Sequence, residues 1–144
     1  MRNLFLDTNI LVDLVCHREP FVQEAKRIFA LAYSGRISIG ICALSYVNTI
    51  YIAKKYGYKT TEIIESLKKI ASFTAVTSLD ESIVKQAMDS DWNDFEDSVQ
   101  YNSSLSFSAD YIITRNPKDF VHSIIGENYD YQRKIRYLRR RANL

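Results

Sequence analysis

The chain is poor in the residues that most often announce a function. Its two cysteines, Cys16 and Cys42, form no CxxC pair and have no histidine at ligand spacing. They are read as buried free thiols of a reducing compartment, not as a disulfide or a zinc site. His17 and His122 stand alone and are read as surface or packing residues. Four Gly and two Pro in 144 residues leave little room for linkers or low-complexity tracts. A Gly-rich phosphate loop, a GxSxG elbow and a Cys-His pair in supporting context are all absent, which removes the enzyme classes built on them. Long apolar runs are missing too. Asp7 and Asp13 interrupt the N-terminal stretch that a signal peptide would need. Residues 37–53 are uncharged, but Ser38, Gly40, Ser45, Asn48 and Thr49 lie among them, and the run falls short of the ~20 apolar residues of a membrane span. A soluble cytoplasmic protein with no membrane association is the expectation.

What is there suits one ordinary globular domain: 47% of residues are hydrophobic and 25% are charged, enough for a substantial core. The formal charge of +2 conceals an asymmetry. Residues 129–144 carry six Lys or Arg and one acid, leaving a net charge of −3 on residues 1–128. A mildly acidic body ends in a basic tail.

Four short apolar runs read as buried strands: "NLFLD", "ISIGIC", "FTAVTS" and "DYIITR". Between them the period is helical. One helix starts at Pro20, carries Phe21, Ala25, Ile28, Phe29 and Ala32 on one face, and ends at Gly35. "ALSYVNTIYIAKKYG" closes on Lys54, Lys55 and Gly57, and "TTEIIESLKKIAS" aligns Ile63, Ile64, Leu67 and Ile70. "DESIVKQAM" and "DFEDSVQYNSSLSFSA" follow. Strands alternating with helices predict an α/β fold, a three-layer α/β/α sandwich around a short parallel sheet. In such sheets ligands bind beyond the carboxyl ends of the strands, near the point where strand order reverses. Asp7 ends the first strand; Asn116 and Asp119 follow the last.

Asp7 is too costly to bury without a hydrogen-bonding partner or a cation. Thr8 and Asn9 are local candidates for the partner, and a plain helix-capping role is the competing reading. Asp94 and Asp97, at i and i+3, face one side of the helix they open. Their repulsion at 4 Å is about 1 kcal/mol in water and about 4 kcal/mol at the effective dielectric of a protein surface, so the ~0.3–1 kcal/mol per acid that a helix N-terminus returns roughly offsets an exposed pair but not a crowded, partly buried one. An exposed cap or a cation site both fit that pair. In "TRNPKDF", Asn116 and Pro117 form a helix start on their own terms, while Arg115 is placed to meet a phosphate or to pair with a nearby carboxylate. Oxygen donors without Cys or His suit Mg²⁺ or Mn²⁺ better than zinc.

"FLDTNILVDL" and "DFEDSVQYNSSLSFSADYIITRNPKDF" together resemble the PIN domain family, metal-dependent ribonucleases that include bacterial toxins of the VapBC type. The resemblance covers roughly residues 3–120. It implies Asp7, Asp97 and Asp119 as catalytic metal ligands, with Asp94 accessory and Asn116 or Asp119 at the fourth acidic position. Mg²⁺ or Mn²⁺ is the implied cofactor and RNA the implied substrate. An antitoxin protein and a homodimer are implied as partners. Glu96 and Asp91 are left as solvated charge. One departure stands out: the family usually carries a Glu on the helix after the second strand, where this chain has Asn48. A carbonyl can ligate a hard cation, but the site loses a negative charge.

The boundary is expected near residue 125, giving a PIN-like nuclease domain over 1–125 and a basic helix or tail over 126–144. In the tail Tyr131, Ile135, Leu138 and Ala142 form an apolar face with Arg133, Arg136 and Arg140 around it. A docked terminal helix, an arm touching RNA phosphates and a surface for a protein partner all remain open. Thr8, Asn9, Arg115, Arg133, Arg136 and Arg140 are the candidate substrate contacts. A metal-dependent endoribonuclease is the expected activity. A PIN-fold module that binds RNA or protein without cutting is the alternative, with a phosphotransferase using Asp7 as nucleophile ranked behind both.

Overall fold

A computed structural model describes residues 1–115. Within them β1 (Arg2–Leu6), β2 (Ile37–Cys42), β3 (Ala75–Thr77) and β4 (Tyr111–Ile113) form one sheet in the order β3-β2-β1-β4, every pairing parallel. The helices are α1 (Thr8–Val15), α2 (Val22–Tyr33), α3 (Ala43–Lys55), α4 (Thr60–Ala71), α5 (Glu81–Met88) and α6 (Phe95–Ser106). The expected three-layer α/β/α sandwich is present.

The strands are apolar on both faces because both faces are covered. Leu6, Ile39, Ile41 and Ile113 pack with Ile10, Leu11, Phe29, Ala53, Ile63 and Leu67 from α1 to α4. Phe5, Cys42 and Ile112 turn the other way and meet Ile83, Ala87 and Val99 from α5 and α6. On that second face Gly40 has no room for a side chain: a Cβ there would stand 2.6 Å from the Phe107 ring. Cys16 and Cys42 are buried and free. No helix of the described residues is long and apolar enough to cross a membrane.

Several ends differ from the sequence expectation, each for a local reason. The third strand begins at Ala75 because Phe73 and Thr74, just past the end of α4, are held against the helices instead. Phe73 packs edge-on against Phe29 and Tyr33, and Thr74 Oγ1 donates to Ile70 O. Helix α2 starts at Val22, so Phe21 lies outside the apolar stripe and 41% exposed. Ile64 is also exposed, leaving Ile63, Leu67 and Ile70 as the buried edge of α4. Gly35 and Gly57 have positive φ, +71° and +86°, and end α2 and α3 as their sequence positions suggested.

The strand order determines where a site can form. From β1 the chain steps outward to β2 and β3, then returns to place β4 on the opposite side of β1. The reversal leaves a crevice beyond the carboxyl ends of β1 and β4.

Candidate active site

Asp7 lies in that crevice. Its backbone N–H donates to Ile113 O at 3.0 Å, extending the β1–β4 pairing by one residue. Asp7 holds the N-cap position of α1, yet its side chain caps nothing. The carboxylate instead accepts a 2.9 Å hydrogen bond from Thr114 Oγ1, just past the end of β4. Only 5% of Asp7 is exposed. Burial raises its pKa above the usual carboxylate value; the Thr114 and Gln100 side chains oppose the rise, the Glu96 charge adds to it, and the Thr8 N–H opposes it. The plain capping reading of Asp7 therefore does not describe it.

A cleft of about 370 Å³ opens at this carboxylate, lined by Asp7, Thr8, Asn9, Asn48, Tyr51, Ile52, Asp94, Glu96, Asp97 and Gln100. The fold thus brings together seven residues singled out in the sequence as site or substrate candidates or as solvated charge: Asp7, Thr8, Asn9, Asn48, Asp94, Asp97 and Glu96. Asp94 is the N-cap of α6, and its Oδ1 accepts from Asp97 N at 3.1 Å. One of its oxygens is therefore engaged by the helix start. Asn116 and Asp119, and Arg133, Arg136 and Arg140 of the basic tail, lie outside the described residues.

Glu96 corrects the sequence reading, which left it as solvated charge. Its Oε1 accepts from Thr8 Oγ1 at 3.0 Å and from Gln100 Nε2 at 3.3 Å. Gln100 is buried and turns its own Oε1 to Thr8 N at 3.2 Å. The proton inventory then fixes a third bond. Thr8 Oγ1 spends its hydrogen on Glu96, so in its 2.8 Å contact with Ser45 the Ser45 hydroxyl donates. One carboxylate oxygen therefore ties α6 to α1, and through Thr8 to α3. The sequence carried a signal for this: Gln100 stands one turn after Glu96 on a helix whose buried side includes Ser98, Ser103 and Ser104.

Arg115 realises the second of its two readings. Its Nε stands 2.9 Å from Asp13 Oδ2, an ion pair off the line of a hydrogen bond, and its guanidinium lies 3.9 Å above the Phe21 ring. Arg18 Nε takes the other Asp13 oxygen at 2.7 Å and its Nη2 reaches Asn9 O at 3.2 Å. Asp13 itself is 1% exposed. Burial raises its pKa, with the Arg115 and Arg18 charges pulling it back. Arg115 is not among the residues that line the cleft.

The cleft presents carboxylates and amides, and among the described residues no Lys, Arg or His lines it. That donor chemistry fits a hard divalent cation. Among the described residues no three of His, Cys, Asp and Glu stand close enough to hold a metal ion by themselves.

The family model of the PIN domain matches residues 3–118. The chain belongs to the PIN domain family. No curated protein sequence matches it at a significant level. Two solved structures share the PIN fold at low identity. One is VapC20 of Mycobacterium tuberculosis, described as a toxin cleaving the sarcin-ricin loop: TM-score 0.62 and 14% identity over 85% of this chain and 95% of that one. The other is VapBC2 of Rickettsia felis bound to a promoter DNA fragment, with TM-score 0.58 and 16% identity over 81% of this chain and 89% of that one.

Proposed function

We propose that this PIN domain is an endoribonuclease that hydrolyses RNA phosphodiester bonds with Mg²⁺ or Mn²⁺, and that it serves as the toxin of a toxin-antitoxin pair. The observation that carries the reading is the placement of Asp7. It is a buried carboxylate at the reversal of strand order, opening on a cleft that holds three further acids and, among the described residues, no basic one. Such a cleft repels a polyanion unless a cation accompanies it.

Asp7, Asp97 and Asp119, assisted by Asp94, Asn48 and Asn116, would hold the ion. When bound, a divalent cation lowers the pKa of water and stabilises charge on a leaving oxygen. The residues of the chain prepare that chemistry. Thr114 fixes one oxygen of Asp7, and Gln100 holds the first peptide of α1 in place. Asp94 secures the start of α6 and so the direction of Asp97. Thr8 and Asn9 line the cleft where a phosphate would lie, while Arg133, Arg136 and Arg140 of the basic tail would supply positive charge for flanking phosphates. Arg115 is assigned a holding role beside Asp13 in place of substrate contact. An antitoxin protein is the proposed partner; the Rickettsia felis relative is a VapBC complex bound to promoter DNA.

The test is cleavage of structured RNAs with Mn²⁺ by wild type, Asp7→Asn and Asp97→Asn. Loss of at least about a hundredfold in either variant is expected, since each removes a charged ligand and the water activation that depends on it. Activity that survives Asp97→Asn rules the mechanism out. Asn48, lining the cleft without charge, favours the alternative of a binding module. RNA retention with no cleavage in Mn²⁺ would select it.

A further inference from the structure

We propose that Glu96 supplies to the divalent cation the negative charge that position 48 lacks, an assignment that rests on the metal-dependent reading above. Asn48 and Glu96 line the same cleft as Asp7. They come from different helices, α3 and α6, but are joined through one hydroxyl. Ser45, one turn before Asn48 on α3, donates to Thr8 Oγ1, which donates to Glu96 Oε1.

The geometry gives Glu96 the features of a held ligand, not of a surface acid. Thr8 and Gln100 both bind Oε1. Their two donors fix the carboxyl group through one oxygen, and neither uses the other oxygen. Side chains that orient a metal ligand by hydrogen bonds in this way are part of the donor set's design. Thr8 and Gln100 meet twice, through Glu96 and through the Thr8 N–H, so Glu96 cannot swing out without breaking contacts that also seat Asp7 at the head of α1. Asp7 is more than nine-tenths buried and faces a cleft to which the described residues bring no basic side chain. A cation there is the group that offsets both charges. The acid missing from α3 is thereby replaced from α6, across the same opening.

The closing experiment reads Mn²⁺ binding by titration calorimetry on the full chain, with thermal melts to verify folding. The variants are Asp7→Asn, Glu96→Gln, Asn48→Glu and the double variant Asn48→Glu with Glu96→Gln. Gln at position 96 keeps an oxygen for the Thr8 hydroxyl, so the fold should be retained. Glu96→Gln is expected to weaken Mn²⁺ binding by about tenfold or more. The double variant is expected to regain most of that affinity, because charge returns from the α3 side. Glu96→Gln that binds Mn²⁺ as wild type does, while Asp7→Asn does not bind, overturns the assignment and leaves the metal-dependent reading standing. Failure of the double variant to recover affinity lost by Glu96→Gln also overturns the exchange between the two positions. A wild-type chain that binds no Mn²⁺ overturns both.

Discussion

Asp7→Asn should abolish cleavage and, in metal-free protein at neutral pH, raise the melting temperature. Asp7 is 5% exposed and burial raises its pKa. The native state therefore holds the Asp7 proton more tightly than the unfolded chain does. The stability linked to that proton is whole below the unfolded pKa and is lost as pH rises through the folded one. Asparagine avoids the loss. It weakens the Thr114 bond from that of a charged acceptor, about 1.5–3 kcal/mol, to that of a neutral one, about 0.5–1.5 kcal/mol. Against this loss of about 1 kcal/mol, removing a desolvated group that also feels the Glu96 charge returns about 2–3 kcal/mol. The net gain is about 1–2 kcal/mol, or roughly 3–8 °C for a domain of this size. Calorimetric melts of chelator-treated wild type and variant across pH 4–8 read it, with the variant's advantage opening as pH rises. Mn²⁺ should reverse the order, since a ligand at a hundred times its Kd adds about 2.7 kcal/mol to the form that binds it. A variant less stable than wild type without metal at pH 7, with a gap indifferent to pH, refutes the reasoning.

Three further outcomes follow from the packing and the charge distribution. Gly40→Ala forces the Phe107 ring aside and should lower unfolding free energy by about 1–3 kcal/mol in urea, leaving Mn²⁺ affinity intact because the clash lies at the far end of α6 from Asp97. Asp13→Ala strands Arg18 and Arg115, whose side chains keep 20% and 27% exposure. Their access to water limits the cost to about 2 kcal/mol, below the roughly 3–5 kcal/mol of a fully buried pair, measurable by denaturant titration. Deleting residues 129–144 should flatten the salt dependence of RNA binding if the tail meets phosphates; an unchanged slope retires that role.

The sheet and its helices were legible because each strand is a short apolar run bounded by helical period, a pattern that survives without any long-range information. Ile64 and Phe21 were misplaced for the converse reason. Both match the helical stripe in sequence, but only packing reveals that the core stops at Ile63 and that Phe21 lies under a guanidinium. That Asp7, Asp94 and Asp97 meet at one cleft was readable from position and spacing, aided by the family resemblance. Glu96 was not, because adjacent helix residues point about 100° apart and the pairing that matters runs to Thr8, 88 positions away. Thr114 and Ser45 are ordinary hydroxyls in sequence, and only the parallel order of the strands makes them neighbours of the site.

The bond between Thr114 and Asp7 joins residues 107 positions apart. Because β4 is the last of the described strands and lies against the first, a nascent chain emerging from the ribosome carries Asp7 early without the strand that completes its surroundings. The centre closes only when the sheet receives its fourth member. The RNA cleavage proposed above would then be absent through most of the chain's own synthesis, beside the ribosomal RNA and messenger it emerges among, and absent from a prematurely terminated product lacking β4.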